Sequence, residues 1–421
     1  MCQTILLPNG IRLLTEPIPH VHSAAVGIWV GAGSRHEPQS QQGISHFIEH
    51  MVFKGTANRT TAQQAIEMDA VGGHFNAYTT RENTCYYARV LDSHLPIALD
   101  LLFDLFYNAK FSSADVLTEQ KIILEEISMY EDTPDDLCVE RLLAAVYPDQ
   151  ALGRPILGVP SSLSRITGAD LRQYRNTHYL PGETVVALAG SFRPADVDAL
   201  AAYCSRAEGT GRLAHAAAVY RPAVTVCKKD VEQNHLCLAF PALPYNHPKR
   251  FALQLLSTIL GGSMSSRMFQ EIREQRGLCY NTYTFSITHM DTGLLCLYAA
   301  LSSEMEAQAI SAICTLICQL VQDGVSEEEL NRAREQVKSN LFLGMESVTS
   351  RMSHLARSTL LHGRVLSESE LLAGYDAVTC SEIKTLARQI FDFSQCSLSV
   401  VGQVDEKTNY QSLLNPFLSQ I

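Results

Sequence analysis

His46-Phe47-Ile48-Glu49-His50 is the stretch from which the rest of the chain is read. The pattern H-x-x-E-H is a helix-borne metal motif. Residues four apart on a helix share a face, so His46 and His50 can close on one ion. Glu49 adjoins His50 in sequence, within reach of a water on that ion. Two neutral imidazoles suit zinc, and a nearby carboxylate suits a general base. Two solvated histidines on a helix would spell the same five letters, so the remaining residues have to decide.

Working outward, residues 22–31 (HSAAVGIWVG) read as a buried strand, closed by the turn Gly31-Ala32-Gly33-Ser34. Gly43 and Ser45 stand just before the motif helix. A second helix is predicted over Thr61–Val71, stopped by Gly72-Gly73. Residues 74–90 alternate as a strand pair, and helical periodicity returns over 94–108 and 113–130. Residues 180–206 hold a strand (TVVALAG) and an amphipathic helix. The weakly patterned, glycine-containing segment 207–221 reads as a linker.

Beyond the linker the order of elements recurs. HLCLAFPAL resembles HSAAVGIWV, and RFALQLLSTILGG ends in paired glycines as the Thr61–Val71 helix does. CYNTYTFSI with GLLCLYAAL parallels the first strand pair, Val325-Ser326-Glu327 opens a helix as Phe111-Ser112-Ser113 does, and CSLSVVGQV mirrors TVVALAGSF. The expectation is an α+β fold of two homologous sandwich-like domains, each a mostly antiparallel sheet packed with helices. Residues 1–206 form the first and 222–421 the second. Two unrelated α+β domains would look similar at this resolution. The second half has no H-x-x-E-H, and Asn340 stands where the first half has Glu126, so a metal site belongs to the first half alone.

Composition bounds the function. At 421 residues the chain exceeds one ordinary core of roughly 150 residues. The 46% hydrophobic and 18% charged fractions suit a packed protein rather than a disordered one. No run of about 18 apolar residues stands out, so no membrane span is expected. The start, MCQTILLPNG, lacks the basic and apolar regions of a signal peptide. Twelve cysteines without a C-x-x-C pair read as small core residues in a reducing, cytoplasmic setting. A net charge of −11 disfavours nucleic acid and anionic membranes.

Two histidines leave a catalytic zinc one protein ligand short. The helix over 113–130 offers Glu119, Glu125 and Glu126. Seven residues are close to two turns, so Glu119 and Glu126 share a face, and Ile122 and Ile123 make that side partly apolar. A carboxylate buried there is costly without a cation. The alternative is a solvated acidic face.

With these residues the chain resembles, over nearly its whole length, the pitrilysin/insulinase-type inverzincins. The likeness is nearest to the short two-domain members related to the mitochondrial processing peptidase. The motif, the following MVFKGT and the spaced glutamates carry it. The family's third ligand lies about 76 residues after the second histidine, and Glu126 stands at that distance from His50. The resemblance implies one Zn²⁺ per chain on His46, His50 and Glu126, with Glu49 as base and Glu119 supporting the ligands. It implies that the strand carrying Asn76, Ala77 and Tyr78 pairs with the substrate backbone, as peptides adding to a sheet edge do. It matches Phe53 to the pocket beyond the scissile bond, although by itself Phe53 reads as core. In the second half, Gly261 to Tyr280 resembles the family signature in which an arginine and a tyrosine seven apart hold substrate and transition state. Arg273 and Tyr280 have that spacing. From the residues alone they are equally a helix-end arginine and a strand tyrosine.

The expected activity is zinc-dependent endopeptidase cleavage of peptides or unfolded, presequence-like segments. Glu49 handles the proton, Tyr280 the oxyanion and Arg273 the substrate. Because one chain holds both the zinc half and the Arg/Tyr half, the expected partner is a second copy completing the site in trans. Two other classes compete: a non-catalytic structural or assembly subunit of the same fold, and a small-molecule metallohydrolase. The intact motif with Glu126 disfavours the first, and the edge strand disfavours the second.

Overall fold

The computed structural model describes residues 2–405 and 407–418. Six strands form the first sheet: β1 (Gln3–Leu6), β2 (Arg12–Pro17), β3 (Ser23–Val30), β4 (His74–Thr79), β5 (Thr84–Leu91) and β6 (Thr184–Gly190). They run in the order β1-β2-β6-β3-β5-β4. The second sheet has β7 (Val224–Lys228), β8 (Asn234–Ala242), β9 (Asn281–Thr288), β10 (Gly293–Leu301) and β11 (Ser397–Gly402), in the order β7-β11-β8-β10-β9. In each sheet one pair is parallel, β2 with β6 and β7 with β11, and the others are antiparallel. With β1 set aside, the two sheets have the same strand order and polarity. The fold is mixed α and β, as the repeat in the sequence implies.

The central strand β3 shows why its sequence is apolar throughout. Ala24, Val26, Ile28 and Val30 enter the core under the motif helix. Ala25 and Trp29 enter a second cluster on the opposite face of the sheet. A strand covered on both faces has no polar side to display. Gly27 lies on the Trp29 face, where a Cβ would stand 2.4 Å from the indole ring, so glycine makes room for the tryptophan.

That second face is covered from the other half of the sequence. Val348, Met352, Leu355 and Ala356 of the Val348–His362 helix pack on Leu14, Trp29 and Val185. Arg351 Nη1 pairs with Glu16 Oε1 at 2.7 Å. Reciprocally, Cys138, Leu142, Leu143 and Val146 of the Pro134–Val146 helix pack on Cys237, Cys296 and Val401 of the second sheet. Two compact units result, Met1–Ile127 with Arg154–Ala216 and Phe342–Leu366, and Ser128–Gly153 with Ala217–Leu341 and Ser367–Ile421. This differs from the expected 1–206 and 222–421. A chain crossing at 216/217 does fall in the 207–221 segment, which has no helix or strand. The sequence boundaries omit the exchanged helices, because each covers a sheet face that its own half does not supply.

Element order also revises one pairing within the repeat. The sequence matches the Arg250–Gly261 helix to Thr61–Val71 through their glycines. In the fold Arg250–Gly261 is the first helix after β8 and packs on the edge strand β9, as Ile44–Met51 follows β3 and packs on β4. The glycines differ in purpose. Gly72 ends its helix at φ +65°, whereas a Cβ on Gly261 would lie 2.6 Å from the Thr284 nitrogen, so Gly261 permits close approach to β9. Among the described residues one helix, Ser303–Asp323, is long and apolar enough to cross a membrane by length and composition, a stretch the sequence reading passes over. Its apolar side, including Ile310, Ile313, Ile317 and Leu320, lies in the core of the second unit.

Candidate metal centre

The motif helix spans Ile44–Met51 and is buried along Ile44, Phe47, Ile48 and Met51. Its start is fixed from outside the helix. Gly43 takes φ +89°, a left-handed conformation that glycine adopts without strain, and has no side chain to cap with. The buried Glu37 caps instead, its carboxylate accepting from Gly43 N at 2.7 Å and Ser45 N at 2.9 Å. Ser45 Oγ shares a hydrogen bond with the Tyr174 hydroxyl at 3.0 Å.

His46 and His50 then stand with ring centroids 4.6 Å apart. The Ser113–Glu131 helix brings Glu126 to them, its Oε2 3.3 Å from His50 Nε2 and 3.7 Å from His46 Nε2. The three candidate ligand atoms lie within 4.8 Å of one another. Ligands about 2.0–2.1 Å from a tetrahedral ion stand about 3.3–3.4 Å apart, so the trio is close to the spacing zinc requires. Two imidazoles and one carboxylate are also the donor set of a catalytic zinc site.

The electrostatics agree with that donor set. Burial, with His50 adding to it, depresses His46 to about 4, so its imidazole is neutral and able to ligate. At His50 burial acts downward, but hydrogen bonds with Glu126 and Glu119 outweigh it and the pKa is raised. The same contact with His50 lowers Glu126. A cation among these groups would replace the His50 proton.

Glu119 sits one helix face away from solvent, 1% exposed, with Oε2 3.2 Å from His50 Nδ1 and Oε1 2.6 Å from Lys54 Nζ. Glu49 is half-buried and accepts from Thr79 Oγ1 at 2.7 Å. Burial raises its pKa against the pull of that hydroxyl. Thr79 closes β4, which hydrogen-bonds β5 on one side and has no strand on the other among the described residues. Along β4, Asn76 is exposed, Ala77 enters the core under the motif helix, and Tyr78 turns to the other face to accept from Trp29 Nε1 at 3.0 Å. Phe53 is half-buried against that first core.

Arg273 and Tyr280 belong to the second unit. The Arg273 guanidinium lies 4.6 Å from the Phe269 ring centroid and 5.7 Å from that of Tyr280, whose side is 73% exposed. The structure thus brings together His46, Glu49, His50, Glu119 and Glu126 in the first unit, and Arg273 with Tyr280 in the second. Sequence reasoning missed Glu37, Lys54 and Thr79. Lys54 lies inside the quoted MVFKGT, where its position one turn past His50 was the available signal. Glu37 and Thr79 act from a loop and a strand end, where no periodicity marks them.

Residues 12–159 match the family model described as insulinase (peptidase family M16), and 165–337 match the one described as peptidase M16 inactive domain. The chain belongs to the M16 peptidase family. An uncharacterized zinc protease of Bacillus subtilis (strain 168) is 38% identical over 402 residues, covering 94% of this chain and 98% of the relative. One from Mycobacterium tuberculosis (strain ATCC 25618 / H37Rv) is 40% identical over 401 residues, covering 91% and 89%. Among solved structures, a protease from Helicobacter pylori superposes with TM-score 0.88 at 18% identity, covering 96% of this chain and 99% of that one. A peptidase M16 inactive domain from Pseudomonas fluorescens superposes with TM-score 0.89 at 18% identity, over 97% and 99%. At that identity these two establish the fold. In this M16 chain the imidazole–carboxylate trio lies within the first matched segment, and Arg273 and Tyr280 lie within the second.

Proposed function

We propose that this M16 chain is a zinc endopeptidase with one Zn²⁺ held by His46, His50 and Glu126. The observation that carries the reading is the convergence of those three ligand atoms within 4.8 Å, beside a half-buried Glu49. The names of its relatives support the metal. Bound there, zinc supplies Lewis acidity and lowers the pKa of a coordinated water to about 7. Glu49 takes the proton from the attacking water and returns it to the departing amine. Thr79 fixes the Glu49 carboxylate for that transfer, and Glu119 orients the His50 ring.

The substrate is a peptide in extended form. It lies along the open edge of β4, where main-chain hydrogen bonds bind it without demanding a sequence. Asn76, Ala77 and Tyr78 offer that edge through their main chain, the exposed Asn76 side chain borders it, and Phe53 lies toward the pocket beyond the scissile bond. Arg273 anchors the substrate and Tyr280 donates to the oxyanion. Both come from a second copy of the chain, in a cytoplasmic homodimer. The acidic balance favours basic, presequence-like segments.

Peptide-library cleavage by the wild type and Glu49→Gln, with and without chelator, tests the function. The reading predicts chelator-sensitive cleavage that Glu49→Gln lowers by at least about 10²-fold while zinc stays bound. Normal turnover by Glu49→Gln would refute it.

A further inference from the structure

Glu119 is a carboxylate with almost no solvent to share its charge, and its two oxygens are divided between two partners. One faces His50 Nδ1 at 3.2 Å and the other faces Lys54 Nζ at 2.6 Å. Lys54 reaches it from a fixed place. The turn after the motif helix is closed by Phe53 N to His50 O at 3.3 Å and Lys54 N to Met51 O at 3.2 Å. Gly55 then turns the chain away at φ +91°. Lys54 therefore leaves the same short segment as His50, whereas Glu119 comes from the helix that carries Glu126. The Lys54–Glu119 pair ties the end of the motif helix to the helix bearing the third ligand.

We propose that Lys54 is a positioning residue for the metal centre: it pins the Glu119 carboxylate so that its other oxygen holds the His50 ring with Nε2 turned toward Glu126. This rests on the reading of His46, His50 and Glu126 as a zinc site. Oε1 of Glu119 is buried and accepts no hydrogen bond, so the ion pair with Lys54 is what holds it, and without the ammonium the carboxylate is free to rotate against the His50 ring. Partners that orient a ligating histidine are worth about 10–100-fold in metal affinity. The Lys54 side chain is 31% exposed, and without its ammonium the other oxygen of Glu119 still faces His50 Nδ1, so the buried carboxylate keeps a partner in the metal-free fold. Metal affinity and fold stability therefore separate the positioning role from a merely structural one.

The test uses the full chain with Lys54→Met, which keeps an aliphatic stem, and Lys54→Arg, which keeps the charge. Zinc affinity is measured at one pH by chelator competition, cobalt substitution reports the ligand geometry by its absorption, and thermal unfolding of the metal-free proteins reports the fold. The expected result is at least tenfold weaker zinc binding and an altered cobalt spectrum in Lys54→Met. Metal-free unfolding stays near that of the wild type, and Lys54→Arg recovers most of the affinity. Wild-type affinity in Lys54→Met, a loss matched by an equal loss of metal-free stability, or no recovery in Lys54→Arg would overturn the proposal. If the wild type itself binds no zinc, the metal reading falls and takes this inference with it. If only Lys54→Met behaves as wild type, the metal reading stands.

Discussion

At the scale of the residue, the placement of His46, Glu49 and His50 depends on groups outside the motif, among them Glu37, Thr79 and Glu119. His46 and His50 announce themselves by helical spacing, and Glu126 by its distance and by sharing a face with Glu119. Glu37 gives no such signal, since it caps the motif helix from a loop whose path only the fold determines. Replacing Glu37 with Ala leaves two buried N–H groups unpaired and should cost about 2–6 kcal/mol in urea unfolding, at about 1–3 kcal/mol for each. A change below about 0.5 kcal/mol would show that water or another group caps the helix equally well. Thr79→Val should lower kcat about tenfold by letting the base wander, with zinc content unchanged and Thr79→Ser near wild type. Acid sensitivity has a residue-level source in His36. Burial and the neighbouring His215 depress it to about 4, while the Glu82 charge acts upward. The unfolded chain takes up a proton near pH 6.5 that the folded chain refuses until about pH 4, so this group's stabilisation is complete above pH 6.5 and is lost as pH falls toward 4. His36→Gln should flatten that part of the stability profile, and an unchanged slope between pH 6.5 and 4 would remove His36 as its source.

At the scale of the element, strand patterns were legible because burial on both faces leaves a continuous apolar run, as in β3. The repeat was legible for the same reason, since equivalent strands meet equivalent surroundings in the two sheets. The exchanged helices were not. Pro134–Val146 and Val348–His362 have ordinary amphipathic patterns, and an apolar face in the sequence does not say which sheet it will meet. Met352 is fully buried against the Trp29 face, far in sequence from everything it touches there. Met352→Ala should therefore destabilise the first unit by about 2–4 kcal/mol, seen as an earlier urea transition reported by Trp29 fluorescence. An unshifted Trp29 transition would show that this helix does not cover the first sheet.

At the scale of the whole molecule, family membership follows from the chain's match to both M16 models, whereas assembly is a proposal with its own test. Glu49→Gln and Arg273→Ala chains are each expected to be inactive alone. If sites are completed in trans, random re-pairing makes half the dimers mixed, each with one intact site, so an equal mixture should regain about a quarter of wild-type activity. No recovery, or an active monomer at high dilution, would end that proposal. The central claim is the metal centre itself, and it is tested most directly by the zinc content of the purified chain measured by elemental analysis, alongside Glu126→Gln. The account predicts one zinc per chain in the wild type and a large loss in Glu126→Gln. A wild-type chain purified in zinc-containing buffer that carries none, or a Glu126→Gln chain that holds zinc as firmly as the wild type, would contradict it.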